Sequence, residues 1–382
     1  MLKIFSRNAL NKFIRNPRHA IVTGKDKVIT QMIAACSDGY SLFAKNVTFF
    51  LTYRCNLKCD VCGQWGITGY VNKFSRAELQ DEVDIKTLKR IIDEISPHRP
   101  QITMCGGEVL LYKDWFEFLT YVKSKGLQCV LTTNGTMIEM NAERLVEVGL
   151  DKISFSLDGP ERIHDMARGD NVFQRVLRGL KSVNQYKSQN KRKVPVIEIG
   201  CTISDQNYRY LDEVIDIAES LEVSCLIFLH LIFVSENEFT RQSRLFHEVF
   251  QTESIHWSGY RYHPTGMDVE YLIKKIEAIN QNRHKIPIVF HPNFTEKEIR
   301  NYYLNSFFLS TSYKNFCLSP WTSVYVLPNG DVSPCSSFVA GNIRKDSFKN
   351  ILNNRKFRYF RNELKRRKFF PVCPRCCEFY KY

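Results

Sequence analysis

The chain has 382 residues, of which 44% are hydrophobic, 13% aromatic and 25% charged, an ordinary globular composition long enough for about two domains. Its 18 Gly and 13 Pro exclude a collagenous or disordered chain, and no run approaches the roughly 20 apolar residues that a bilayer crossing needs. The net charge of +14 sits at the ends: residues 1–45 carry +6, residues 341–382 carry +10 and the body −2, which argues against a long nucleic-acid track and makes nucleic acid an unexpected partner.

Residues 1–45 read as a basic N-terminal extension. Lys3, Arg7, Lys12 and Arg15 interrupt Leu2, Ile4, Phe5, Leu10, Phe13 and Ile14, so the compact apolar run of a secretory signal is missing and a cytoplasmic location is expected. The same alternation predicts an amphipathic helix stopped by Asn16-Pro17. A second set of cations among aromatics lies at 356–361 and 365–370. Ordinary solvated helices are the plain reading of both ends; peripheral contact with an anionic membrane is the sharper one.

Residues 46–232 alternate strand and helix signals. Strands are expected at Val47–Thr52, Gln101–Met104, Leu127–Thr132, Lys152–Leu157, Val196–Ile203 and Val223–His230, with helices at Asp84–Ile95, Tyr112–Lys125, Ala142–Val148, Phe173–Gln185 and Tyr210–Leu221. Six strands interleaved with helices predict parallel βα units, with ligands at the carboxyl ends of the strands. Residues 233–310 break this rhythm. They read as a bridging, substrate-covering segment with a helix at Asp268–Asn282 and a strand at Ile286–His291, otherwise irregular. In residues 311–382 a hairpin is expected around Pro328-Asn329-Gly330-Asp331, followed by helices at Phe348–Asn353 and Lys356–Lys365.

Thirteen cysteines fall into a pattern. Cys36, Cys105, Cys129, Cys201 and Cys225 are scattered and read as core thiols. Cys55, Cys59 and Cys62 follow the first strand. Cys317, Cys335, Cys373, Cys376 and Cys377 gather near the end, and such clustering in a cytosolic chain favours metal ligation over disulfides. Three thiolates on one loop can hold three irons of a [4Fe–4S] cube and leave the fourth open. Structural zinc competes, but it wants four ligands and no fourth Cys or His is near.

With Gly106-Gly107-Glu108 after the second strand, Thr133-Asn134-Gly135 after the third and Ser154-Phe155-Ser156-Leu157-Asp158-Gly159-Pro160 on the fourth, the triad resembles the radical S-adenosylmethionine (SAM) superfamily. The resemblance implies an α/β fold, a partial (β/α)6 barrel with a small C-terminal α+β iron–sulfur domain. It implies a [4Fe–4S] cluster on Cys55, Cys59 and Cys62 with SAM on the open iron. Gly106 and Gly107 would lie close to the methionine moiety, Glu108 would accept from its ammonium, Ser156 and Asp158 would line the ribose or carboxylate, and Asn134 would join the cofactor-binding set. Val61 would meet the adenine, and the SAM carboxylate would pair with Arg175 or, second, Arg168. Val109 replaces the usual proline of the glycine motif.

The C-terminal cysteines, with Asn329-Gly330-Asp331 and Gly341-Asn342, resemble the SPASM/twitch extension. Five cysteines favour its one-cluster form, an auxiliary [4Fe–4S] cluster on Cys317, Cys335, Cys373 and Cys376 with Cys377 as a spare; a four-cysteine zinc site shares the ligand set. The implied activity is reductive cleavage of SAM and hydrogen abstraction from a peptide, sugar or other small molecule. An electron donor such as flavodoxin or ferredoxin serves the first cluster, and the auxiliary cluster accepts an electron or ligates substrate. His230, His256, His263 and Asp268 stand where a general base would be sought, and none is singled out. A non-catalytic, metal-stabilised scaffold is the alternative, opposed by the complete cysteine triad and Glu108.

Overall fold

The computed structural model describes residues 28–381; the amphipathic stretch at 2–15 lies outside them. Strands β1 (Asn46–Phe50), β2 (Gln101–Cys105), β3 (Cys129–Thr133), β4 (Lys152–Ser156), β5 (Val196–Ile203) and β6 (Cys225–His230) lie side by side in chain order, all parallel. The connecting helices are α1 (Ile85–Ile95), α2 (Trp115–Ser124), α3 (Ala142–Glu147), α4 (Glu161–Arg168), α5 (Val172–Gln189) and α6 (Leu211–Ser220). Asp84 caps α1 by accepting from Thr87 N at 2.9 Å, and Leu88, Ile91, Ile92 and Ile95 make its buried stripe.

The strands are two-faced. Val47, Phe49, Ile102, Met104, Ile153, Phe155, Ile197 and Ile199 are buried on the helix side, where Phe49 meets Phe118 of α2 at 5.1 Å. The alternate residues Thr48, Thr103, Ser154, Ser156, Gly200 and Thr202 are only half-buried. A parallel sheet covered on both faces would be apolar throughout; this one keeps a small, hydroxyl-rich inner face.

The sheet runs on beyond residue 232. After α7 (Glu236–Phe250) and α8 (Val269–Gln281), β7 (Ile288–His291) adds in parallel to β6, and α9 (Glu296–Leu304) follows. The expectation of irregular structure here is corrected at α7 and α9. Ser235 and Glu238 form a full capping box, as do Thr295 and Glu298. Both are S/T-x-x-E signatures visible in the sequence. At the other edge β8 (Ser323–Val326) pairs in parallel with β1, and β9 (Asp331–Ser333) and β10 (Gly341–Asn342) continue antiparallel, giving a ten-stranded sheet that ends at β10 and β7. The hairpin turn is where it was expected, with Gly330 N donating to Leu327 O at 2.9 Å.

The C-terminal region thus begins on the β1 edge and finishes on the β7 edge. After α10 (Phe348–Leu352) and α11 (Arg355–Arg367), His291 Nε2 on β7 bonds the Cys377 carbonyl at 3.1 Å. Arg375, fully buried, donates to Glu238 Oε1 at 2.9 Å, to Asn305 O at 2.7 Å and to the Tyr302 carbonyl. Much of the C-terminal basicity is consumed internally. Arg358 pairs with Asp38 at 2.6 Å, Arg361 donates to Gly39 O and Pro320 O, and Arg366 and Arg367 share Glu363. Among the described residues no helix is long and apolar enough to cross a membrane.

Because the Arg375–Glu238 pair has no solvent to fall back on, Glu238→Ala should destabilise by about 3–5 kcal/mol in denaturant unfolding. The double replacement Glu238→Met/Arg375→Met, which leaves no orphaned charge, should lose less.

Candidate active site

The chain leaving β1 stays hydrogen-bonded to the chain leaving β2. Leu51 N donates to Cys105 O at 3.0 Å, Gly107 N to Thr52 O at 2.9 Å and Glu108 N to Arg54 O at 2.8 Å. A Cβ on Gly106, where φ is +148°, would stand 2.5 Å from Thr52 O; one on Gly107 would stand 2.1 Å from Arg54 O. The two glycines are therefore required by the segment that leads into the cysteines, whatever else approaches them. Arg54 is itself held by Glu82 through two bonds of 2.9 and 3.1 Å and by Leu111 O at 2.8 Å. Beyond it the loop curls on its own thiols, with Leu57 N 3.4 Å from Cys55 Sγ and Trp65 N 3.4 Å from Cys62 Sγ. Asp60 N donates to Ala167 O at the end of α4 at 3.1 Å. Val61, between the second and third cysteines, packs on the core.

Two polar clusters stand against the sulfurs. In the first, Asn134 Nδ2 lies 3.8 Å from Cys55 Sγ and donates to Asn56 Oδ1 at 2.9 Å, while Asn56 donates to Thr136 Oγ1 at 2.9 Å. Glu108 lies beneath, wholly buried, accepting from Thr133 Oγ1 at 2.9 Å and Asn134 N at 2.9 Å. Burial pushes its carboxyl upward, and the Asn134 N–H and Thr133 hydroxyl pull it back. In the second, Arg168 Nη1 lies 3.8 Å from Cys59 Sγ and Nε donates to Asp158 Oδ2 at 2.7 Å. Asp158 Oδ1 accepts from Thr202 N at 2.8 Å, and Asp158 N donates to His164 Nδ1 at 3.0 Å. Burial raises the Cys55 thiol to about 11 and raises Cys59 as well, where Arg168 opposes it; a cation binding here must displace those protons.

Of the residues expected around SAM, Arg168 reaches a cysteine, whereas Arg175 donates to the Thr136 carbonyl at 3.2 Å. Ser156 ends β4 on the inner face, and the carboxylates of Glu108 and Asp158 are engaged with protein donors. Asn56, Thr136 and His164 were not singled out from sequence, and Thr133 entered only within its motif, because their roles depend on contacts between different strand ends. Asp268 caps α8 through Tyr271 N at 3.0 Å. His230 is buried against Tyr303 OH at 2.9 Å and lowered by burial to about 3, and the His263 ring lies tilted, 5.6 Å from Phe233.

The second cysteine set lines one cavity. Cys317, Cys335, Cys373 and Cys376 face it together with Trp257 and Glu378, and Cys377 is not among the lining residues. Burial raises all four thiols, Cys373 to about 12; at Cys376 the neighbouring Cys377 thiol opposes the rise. The turn Ile255–Tyr260 joins the two cysteine sites. Thr68 Oγ1 donates to Gly259 O at 3.0 Å and His256 N to Ser337 Oγ at 3.0 Å, while a Cβ on Gly63 would strike the Tyr260 ring at 2.3 Å.

Zinc–thiolate bonds of about 2.3 Å would draw ligands onto a single point. Iron–sulfur clusters take the same thiolate ligands; the three cysteines on one loop would leave one corner of a [4Fe–4S] cube open, and the four that line one cavity would suffice for a second cluster.

Residues 49–218 match the radical SAM superfamily and residues 317–377 match the SPASM iron–sulfur cluster-binding domain. The chain belongs to the radical SAM superfamily and carries a SPASM extension. The first of these domains binds SAM with a [4Fe–4S] cluster and the second binds auxiliary iron–sulfur, as the sequence resemblance implied. The chain is 30% identical over 228 residues to the Fe-coproporphyrin III synthase of Methanosarcina barkeri, covering 56% of this chain and 53% of that one. It is 26% identical over 346 residues to the AdoMet-dependent heme synthase of the same organism, covering 86% and 90%. It spans about half the length of the first curated relatives it matches. Among solved structures, SAM-bound SuiB of Streptococcus suis shares the fold with a TM-score of 0.59 at 16% identity, covering 94% of this chain and 75% of that one. The AdoMet complex of anSMEcpe shares it at 0.55 and 19%, covering 82% of each.

Two outcomes follow from this radical SAM site. Gly107→Ala should lose the iron of the first site, about four atoms per chain, measured after anaerobic reconstitution, while far-UV circular dichroism stays unchanged. His164 and His256, lowered by burial to about 4, are neutral in the fold but would titrate near 6.5 when unfolded. Their contribution is complete above that pH and is lost as the pH falls toward 4. The unfolding midpoint should drop over that window, and less steeply in His164→Gln.

Proposed function

We propose that this protein is a radical SAM enzyme that cleaves SAM reductively and removes a hydrogen atom from a polar organic substrate, with the auxiliary centre serving a net oxidation or cross-link. The observation that carries this reading is the Cys55–Cys59–Cys62 loop at the carboxyl end of β1, with Asn134 and Arg168 each 3.8 Å from a cysteine sulfur. When bound and reduced by a donor such as flavodoxin or ferredoxin, the first cluster supplies the electron that splits SAM into methionine and a 5′-deoxyadenosyl radical.

The chain's own residues hold and orient. Arg168, locked by Asp158, offers a guanidinium to the SAM carboxylate beside Cys59, and its placement there favours it over Arg175. Ser156 and Asn134 would line the same mouth, and Val61, packed on the core behind the loop, would meet the adenine. Glu108 and Asp158 act through the donors they fix, Asn134 and Arg168. Cys317, Cys335, Cys373 and Cys376 hold the auxiliary cluster. The inner face supplies Thr48, Thr103, Ser154 and Thr202 as hydroxyl groups, and its Lys152 is already paired to Glu198 at 3.2 Å. That hydroxyl-rich lining suits a peptide or sugar.

Anaerobic reconstitution with iron and sulfide, then SAM and dithionite, tests the reading by 5′-deoxyadenosine release. Cys59→Ala should abolish release and keep the auxiliary iron. Cys335→Ala should lose the auxiliary iron and still cleave SAM. Uptake of zinc in place of iron, or wild-type release from Cys59→Ala, overturns it.

A further inference from the structure

One wall of the cavity that gathers the four C-terminal cysteines carries polar groups with nothing to bind. Trp257 and Gln242 line it, 4% and 1% exposed. Trp257 Nε1 is buried without a hydrogen-bond partner, and so is Gln242 Oε1. An indole N–H can only donate, and buried tryptophans ordinarily satisfy it. The ring is also confined. Val234, Val372 and Cys376 pack against it, Tyr260 lies 5.6 Å away, and its turn is pinned at His256 and Gly259. The Gln242 carboxamide, rotated by half a turn, would place its NH2 where the unpartnered oxygen now stands.

We propose that Trp257, with Gln242 beside it, donates hydrogen bonds to sulfur atoms of the auxiliary iron–sulfur cluster and raises its reduction potential; this rests on the reading that Cys317, Cys335, Cys373 and Cys376 hold such a cluster. The reason is electrostatic. Reduction adds one negative charge inside a cavity whose remaining wall sets Phe360, Leu364, Phe370, Val372 and Phe379 beside the hydroxyl residues Ser319, Tyr325 and Ser336. The apolar part of that wall disfavours the charge, and the Glu378 carboxylate, bonded to Ser319 Oγ at 2.9 Å, disfavours it further. Donor dipoles directed at the sulfurs favour the reduced form, and hydrogen bonding to sulfur is a main determinant of such potentials. Trp321 supplies an internal control: its indole nitrogen is likewise buried and unpartnered, yet it is not among the residues lining the cavity.

The test is a dithionite titration of the full-length, anaerobically reconstituted protein, following each cluster by electron paramagnetic resonance. Trp257→Phe should shift the auxiliary midpoint to a more negative potential, Trp257→His should recover part of the shift, and Trp321→Phe should leave it in place. The first cluster should titrate identically in all. Wild-type protein labelled with 15N at the indole nitrogen should show a nitrogen coupling on the reduced auxiliary signal. Equal potentials in wild type and Trp257→Phe overturn the proposal. If Trp257→Phe fails to take up the cluster, the labelled wild type decides, and absence of the coupling overturns it. A wild type that takes up only the iron of the first site overturns the auxiliary-cluster assignment and the proposal with it, so the two failures are distinguishable.

Discussion

The site depends on the parallel pairing of β1 and β2 continuing past the end of both strands. Thr52 and Arg54 carbonyls accept from Gly107 and Glu108, and that approach leaves no room for a side chain at residues 106 and 107. Everything that follows along the cysteine loop inherits its position from this contact. The loop then needs few further restraints, namely Arg54 on Glu82, Trp65 Nε1 on Tyr53 O at 2.7 Å and Asp60 on Ala167.

Around the loop, buried polar groups are spent on geometry. Glu108 fixes the β3 end, so that Asn134 faces Cys55. Asp158, positioned by Thr202 and His164, fixes Arg168 at Cys59. Such charges are costly to bury and earn little net stability; what they provide is one orientation for the groups beside the sulfurs. The same logic recurs at Arg375, whose guanidinium meets one carboxylate and two carbonyls between Cys373 and Cys376.

The open barrel explains the placement of the auxiliary site. Cys317 and Cys335 flank β8 and β9, on the edge that pairs with β1. Cys373 and Cys376 lie in the tail anchored to β7 through His291 and to α7 and α9 through Arg375. The four thiols that face one cavity therefore come from chain segments attached to opposite edges of a single sheet, and the turn at 255–260 connects that cavity to the first cysteine loop.

The sequence by itself determined the six parallel strands, most of their helices, the hairpin near Gly330 and both cysteine sets, because periodicity and cysteine spacing are local properties. Its SPASM and radical SAM motifs were equally legible. The capping boxes at Ser235 and Thr295, which start α7 and α9, are local signals of the same kind. Only tertiary structure decided the rest. Whether Arg168 or Arg175 stands at a cysteine depends on how α4 and α5 meet the loop. The partners of Glu108 and Asp158 depend on which strand ends adjoin. Trp257 joins the auxiliary cavity only because a segment distant in sequence packs against the C-terminal cysteines. A one-dimensional pattern reports which face of an element is apolar; it carries no record of which remote backbone group a buried polar side chain will meet.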